Sequence, residues 1–411
     1  MKVTLATEMA PPFVLVAHFF ITSIVFLLLS GASLAFLAED TSGYFISSSF
    51  AAFSHLYLLG FVMMVIFGAL YQLLPVVLEA PIFSKDFAYI QFYMYVLGLS
   101  LMVSGFTFSS LHLLIPYGAV ITYASMLIFC VNVFLTFYRL ENINVVGKFL
   151  LMATLFLFVS VSLGLVIGLS LGHGLFTIDI DAWTKAHIIG TLGGFVMMVI
   201  MGVAMVLIPM FSLSHGYSQQ WIERALYVHS VGVILSMGCF IFGFSSFVAI
   251  PLGLLMVSSL LFLIQMALIL KHRVRKQNDY WVKNIVFAFI CFTCSLIALW
   301  FNPVLGGMLF FLGFLLPLIV GHIYKILPFL IWYEKFSPLV GKQKVPLLHQ
   351  MIHTKIADIQ TLSLFIAVIV LSMALILGLN SLFVCGSTLL FGSIMLVVYN
   401  TWYAFNYTTN E

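Results

Sequence analysis

Long apolar segments constrain this chain more than any other feature of its sequence. Twelve such segments, each of about 20 residues or more, are bounded by charged or turn-forming residues. Twenty helical residues at ~1.5 Å per residue span about 30 Å, the thickness of a bilayer's hydrocarbon core. We therefore expect an all-α polytopic membrane protein with about twelve transmembrane helices, although the short links near 245 and 303 leave eleven or thirteen open. The predicted spans are 13–37, 46–78, 87–108, 116–138, 149–170, 186–211, 225–244, 247–270, 285–302, 307–331, 358–379 and 383–406.

The composition supports a membrane protein. Hydrophobic residues make up 63% of the 411 residues and charged residues 7%, and this excludes a soluble globular protein. The apolar composition makes the lipid bilayer the expected partner. The net charge of +3 is too small to suggest a nucleic-acid partner. Five cysteines scattered through apolar stretches predict no disulfide framework. The segment Met1–Ala10 runs into the first apolar helix without a cleavage pattern, so we predict no cleaved signal peptide.

Basic residues predict the orientation. If the N-terminus is cytoplasmic, fifteen of the sixteen Lys and Arg residues fall on the inner side, and only Lys185 falls outside. The predicted outer loops carry acidic residues, namely Glu39, Asp40, Asp179 and Asp181. We therefore expect a multi-pass protein of the cytoplasmic (inner) membrane with both termini in the cytoplasm.

One helix-length stretch recurs along the chain. The six residues Phe61–Ile66 reappear unchanged at Phe195–Ile200, an offset of 134 residues. A fainter copy lies at an offset of 253 residues, where Gly321, Tyr324 and Pro328 match Gly68, Tyr71 and Pro75. The chain therefore reads as a single membrane domain, 1–411, made of three related four-helix repeats at approximately 13–138, 149–270 and 285–406.

Histidines are the candidate functional residues, because ionisable groups inside a membrane are costly unless they have a partner or a function. Five of the eleven histidines fall inside predicted spans, while the other six fall in loops. His55 and His187 lie at predicted outer ends. His18, His229 and His322 lie toward the inner side, where they could ligate an inner haem, bind copper or a quinone headgroup, or satisfy backbone carbonyls.

The sequence around His55 resembles a known family. His55 is followed by Gly68-Ala-Leu-Tyr71 and Pro75. This spacing resembles the tenth helix of the C-type haem-copper oxidases, in which two histidines separated by one residue precede a Gly-Ala-Leu-Tyr-x-Leu-x-Pro ending. His55 matches the second family histidine, which ligates the low-spin haem, and Phe53 replaces the first.

The second repeat carries a related motif. Its Asp181-Ala-Trp183-Thr-Lys-Ala-His187 string is similar to the Asp-Trp-Thr lead-in of the same family helix. His187 matches the first family histidine, and Ile189 replaces the second. The chain also resembles the second helix of nitric oxide reductases and the NnrS family of haem- and copper-containing membrane proteins.

The resemblance implies the twelve-helix oxidase subunit I fold and one or two molecules of haem b. Met308 stands at the position of His55 in the third repeat, and a His–Met pair is a known axial set for haem. Packing against lipid or core remains the alternative for Met308. His187 could ligate the same haem or a second one, or only hydrogen-bond the outer loop.

Departures from the family limit the expected chemistry. The seventh span has no adjacent His-His pair, and His229 stands alone near its predicted cytoplasmic end. Gly306 and Met308 replace the haem-ligand histidines of the third repeat. We therefore expect no copper at the family's usual site and no conventional reduction of oxygen. Copper elsewhere, and any oxidoreductase activity, stay open.

The expected function is that of a membrane b-type haem protein in respiration, which transfers electrons or handles a diatomic gas such as NO. Its expected partners are haem and a quinone or a cytochrome as electron donor. Two alternatives remain: a copper or haem transporter, because repeats also build transporters, and a cofactor-free accessory subunit of a respiratory complex.

Overall fold

A computed structural model describes residues 11–38 and 47–408. The described residues contain no strand and twelve helical spans long and apolar enough to cross a membrane, so the all-α prediction is confirmed. Lys2, Glu39 and Asp40 lie outside the described residues. The spans are α1 (Phe13–Ala38), α2 (Ser48–Leu78), α3 (Lys85–Thr107), α4 (Leu114–Tyr138), α5 (Val145–His173), α6 (Ile180–Ser212), α7 (Gln220–Ile241), α8 (Ser245–Lys271), α9 (Tyr280–Ala298), α10 (Pro303–Lys335), α11 (Thr354–Leu377) and α12 (Asn380–Phe405).

Capping side chains explain where several helices begin. The N-cap carboxylate of Asp179 accepts a hydrogen bond from the amide of Ala182, so α6 begins at Ile180 rather than at the predicted 186. The Asn144 side chain accepts from the amide of Gly147 and starts α5 four residues before the predicted 149. Hydropathy alone places both starts too late, because polar residues occupy the first turn of each helix.

The described chain divides into two compact bodies. Body A comprises residues up to Phe19 together with Ile66–Lys276, and body B comprises Phe20–Val65 together with Gln277–Glu411. The division passes through α1 and α2. The boundary between the bodies therefore does not coincide with the boundaries of the three sequence repeats.

Each repeat anchors the start of its third helix in the same way. A side-chain amide on the fourth helix hydrogen-bonds the backbone of a residue that lies one or two positions before the start of the third helix. The pairs are Asn132 with Ser84, Gln265 with Ser218, and Asn400 with His353. The donor–acceptor distances are 2.8 to 3.1 Å. These bonds satisfy backbone groups that a helix start leaves unpaired, and they recur at nearly constant offsets in the sequence.

The second helix of each repeat contains a π-helical segment. These segments are Leu58–Met63 in α2, Ile189–Met197 in α6 and Leu309–Leu315 in α10. They overlap when the helices are aligned at the repeat offsets of 134 and 253 residues. π-Helical turns are rare and occur mostly at functional sites. Because all three equivalent helices contain one, the residues around the π-helical segments are candidates for a functional site.

A glycine in each π-helical segment allows the neighbouring first helix to approach closely. A Cβ built on Gly60 would lie 2.6 Å from Phe26 Cβ, and one on Gly194 would lie 2.6 Å from Phe156 Cβ. A Cβ on Gly313 would lie 2.8 Å from the Cβ of Cys291. Gly60, Gly194 and Gly313 are equivalent at the repeat offsets, so all three repeats use one contact. Small residues serve this purpose in membrane helices.

We predict that Gly194→Ala lowers the melting temperature of the protein in detergent. The added methyl would clash with the Cβ of Phe156, which cannot swing away as the end of a flexible side chain can, and such overpacking typically costs about 1–3 kcal/mol. Gly193→Ala is the matched control, because its nearest neighbour, Val233 Cγ2, would be 3.7 Å away. Equal melting temperatures for the two variants would contradict the proposed helix contact.

Candidate functional site

The candidate ligand residues, considered within each body by itself, lie one to three residues before the π-helical segments. His55 lies three residues before the segment of α2, His187 two residues before that of α6, and Met308 directly before that of α10. His55 and Met308 belong to body B and His187 to body A. All three side chains are half-buried.

The imidazole of His55 is oriented by its own helix. Its Nδ1 lies 2.7 Å from the carbonyl oxygen of Ala51, one turn earlier. A ring nitrogen that bonds a carbonyl must carry the proton, so the lone pair of the neutral ring resides on Nε2. His272, in an exposed position at the end of α8, makes the same bond to Leu268 at 2.8 Å. The bond therefore sets the tautomer of His55 without by itself marking a ligand.

His187 is oriented by the neighbouring helix of its repeat. Its Nδ1 lies 2.7 Å from the carbonyl oxygen of Ser160 in α5, so its lone pair also resides on Nε2. The ring rests on Gly164, where a Cβ would come within 2.8 Å of the imidazole Cε1. A carbonyl partner on one nitrogen and a lone pair on the other is the usual arrangement of a metal-ligating histidine.

A crevice in body B lies on the other side of α2 from His55. Phe53 and Tyr57 line it, together with Leu27, Ser30, Gly31, Leu34, Leu312, Leu316, Leu390 and Ile394. Residues two apart on a helix point to opposite sides, so His55 faces away from this crevice. The Tyr57 ring stacks on Phe311 at 5.7 Å, and its hydroxyl donates to the Phe311 carbonyl oxygen at 2.7 Å.

The crevice has no room for a haem. It does not admit a water molecule, whereas pockets for ligands of this size usually occupy about 300–1,000 Å³. The donor chemistry of His55 and His187 fits an axial haem ligand, while the crevice beside Phe53 and Tyr57 does not fit the porphyrin. Neither His55 nor Met308 belongs to its described lining, so the structure gives no support for a His55–Met308 pair across it.

Both ring nitrogens of His229 have hydrogen-bond partners. Its Nε2 donates to the carbonyl oxygen of Gly193 at 2.7 Å, and its Nδ1 lies 2.7 Å from the Ser258 hydroxyl. Gly193 belongs to the π-helical segment of α6. The imidazole thus bonds a segment carbonyl and α8 at once, and a metal could bind it only by displacing one of these bonds.

The other inner-side histidines lie apart from any cluster of metal-binding side chains. His322 Nδ1 lies 2.7 Å from the Leu318 carbonyl oxygen, and its ring meets Trp281 edge-on at 6.0 Å. His18 stacks on Phe92 at 5.4 Å. Within the ranges that the structure describes, no three His, Cys, Asp or Glu side chains come together to hold a metal.

Two features of this region were missed by sequence reasoning. Ser160 and Gly164, which seat His187, carry no ligand-like signal because serine and glycine are ordinary residues of membrane helices. Gly60, Gly194 and Gly313 could have been found, because they match at the same offsets that reveal the repeat.

The chain was compared with known proteins. A scan against protein-family models gives no match, and a search of curated protein sequences gives none either. The resemblance to the haem-copper oxidases therefore depends on the residues of the motifs themselves.

Proposed function

We propose that this chain is a membrane-embedded b-type haem protein of the oxidase subunit I type, which transfers electrons or handles a diatomic gas such as NO. His55 is the proposed axial ligand, His187 the second candidate and Met308 the third. A bound haem would supply one-electron redox chemistry and a coordination position for a gas. The proposed electron donor is a quinone or a cytochrome.

The orientation of the two outer histidines is the observation that supports this proposal best. Both imidazoles donate from Nδ1 to a carbonyl oxygen and keep the Nε2 lone pair, and both stand at the start of a π-helical segment. Because His55 faces away from the packed crevice, a haem on His55 would bind at the half-buried face of α2.

A second candidate function is that of a cofactor-free accessory subunit. The tight crevice and the stack of Phe53, Tyr57 and Phe311 favour it, because aromatic side chains occupy the space between α2 and α10 in body B. In this case His55 and His187 would serve only to bond backbone carbonyls. Haem content of the purified protein separates the two functions.

We predict that His55→Ala loses or shifts a low-spin haem signal and lowers the haem content. Removing an axial imidazole removes a ligand bond, whereas one half-buried residue near a helix end contributes little to membrane insertion. His187→Ala should have the next largest effect. The measurement is haem per protein, together with the reduced spectrum, after purification in detergent.

His272→Ala is the matched control, because His272 makes the same bond to the carbonyl four residues earlier but is exposed. It should leave haem content and spectrum unchanged. Wild-type haem content and spectrum in the His55→Ala protein would reject His55 as a ligand.

We also propose that the chain lies in the inner membrane with both termini in the cytoplasm, which the distribution of Lys and Arg supports. Two exposed link residues test it, Gln277 between α8 and α9 and Leu175 between α5 and α6. We predict that an impermeant maleimide labels Leu175→Cys in intact cells and labels Gln277→Cys only after the cells are permeabilised. Both variants are made with the five native cysteines replaced by alanine. The reverse labelling pattern would contradict the proposed orientation.

A further inference from the structure

Body B contains a seam of buried polar side chains contributed by four helices. We call the following residues the polar seam: Asn284 of α9, Tyr324 of α10, Gln360 and Thr361 of α11, and Ser393, Asn400 and Thr401 of α12. None of these residues is more than 7% exposed. So many buried polar groups in so apolar a protein require hydrogen-bond partners.

Direct hydrogen bonds join four members of the polar seam in two pairs. Asn284 Nδ2 donates to Thr361 Oγ1 at 2.8 Å, which links α9 to α11. Gln360 Nε2 donates to Ser393 Oγ at 3.0 Å, which links α11 to α12. The Asn400 amide lies beside the Tyr324 hydroxyl without reaching it in hydrogen-bond geometry. Ser393 and Asn400 are seven residues apart, so the seam runs about 10 Å along α12.

Five buried atoms of the polar seam have no hydrogen-bond partner among the described residues. Two are amide oxygens, one is an amide nitrogen and two are hydroxyls. They are Asn284 Oδ1, Gln360 Oε1, Asn400 Nδ2, Tyr324 Oη and Thr401 Oγ1. Each buried polar group without a partner destabilises a fold, and proteins are only marginally stable. Five together within one seam therefore require a common explanation.

In the first repeat, the counterparts of Tyr324 and Asn400 bond other groups of the protein, although Gln91 Nε2 has no partner among the described residues. Tyr71, the counterpart of Tyr324, donates to Gln91 Oε1 at 2.9 Å. Asn132, the counterpart of Asn400, uses both ends of its amide on the backbone of Ser84. The Tyr71 hydroxyl thus has a partner in body A that the Tyr324 hydroxyl lacks in body B. Both ends of the Asn132 amide are bonded, whereas Asn400 accepts from the amide of His353 through Oδ1 and its Nδ2 has no partner among the described residues.

We propose that the polar seam is a binding site for a cluster of ordered water molecules. The five atoms comprise two acceptors, one donor and two hydroxyls, so a ligand must both donate and accept hydrogen bonds. Water does both. The N–H of Asn400 would oppose a cation, and the carbonyl oxygens of Asn284 and Gln360 would oppose an anion. The seam lies near the end of body B where α9 and α11 begin and α12 ends, which gives water a short way in. This proposal does not depend on haem binding.

Radiolytic hydroxyl-radical footprinting of the purified wild-type protein tests this site, because radicals formed from bound water modify the side chains that contact it. Tyr324 and Tyr71 are 2% and 0% exposed, so they are a matched pair of buried tyrosines. We expect Tyr324 to be modified several-fold faster than Tyr71. Equally slow modification of the two tyrosines would overturn the proposal.

The stability of Tyr324→Phe provides a second measurement. If water bonds the hydroxyl, its removal loses a hydrogen bond and the melting temperature falls. If the seam is dry, the change removes an unpartnered polar group and the melting temperature rises, which would count against the proposal. Tyr71→Phe is the control and should lower the melting temperature, because it leaves Gln91 Oε1 without its partner.

Discussion

A lipid-embedded chain must satisfy its backbone hydrogen bonds from within, and the features of this protein follow from that requirement. π-Helical segments shift the regular pairing of amides and carbonyls, so side chains complete it. The His229 imidazole bonds the Gly193 carbonyl, and the Tyr57 hydroxyl bonds the Phe311 carbonyl. Glycines in the same segments let the first helix of each repeat pack directly on the backbone. The repeated second helix is therefore both irregular and tightly held.

Hydropathy was sufficient to predict the twelve spans, because length and apolar composition alone decide whether a helix can cross a bilayer. The starts of α5 and α6 were predicted late, since Asn144 and Asp179 cap helices whose first turns carry polar residues. The π-helical segments could not be predicted, because their residues are as apolar as those of any membrane helix. The amide anchors at Asn132, Gln265 and Asn400 could have been found as polar residues that recur in the fourth helix of each repeat.

For the candidate ligands, the sequence could predict which residue types to consider but not what each side chain contacts. Depth in the membrane singled out five histidines but could not separate a ligand from a packing residue. They are His18, His55, His187, His229 and His322. The structure adds the hydrogen bonds that orient several of these rings. Both nitrogens of His229 are hydrogen-bonded, and Nδ1 of His55, of His187 and of His322 bonds a carbonyl oxygen. Packing contacts such as His187 on Gly164 depend on the relation between helices, which no single segment of sequence encodes.

The proposed haem chemistry has one direct test, the reduced-minus-oxidised optical spectrum of the wild-type protein, expressed with sufficient haem and purified in detergent. A low-spin b-type haem with nitrogenous axial ligation gives a sharp Soret band and a distinct α band on reduction. The account predicts this spectrum at a stoichiometry of at least one haem per chain. A preparation that is folded and monodisperse, yet shows no Soret band after growth with excess haem, would contradict it.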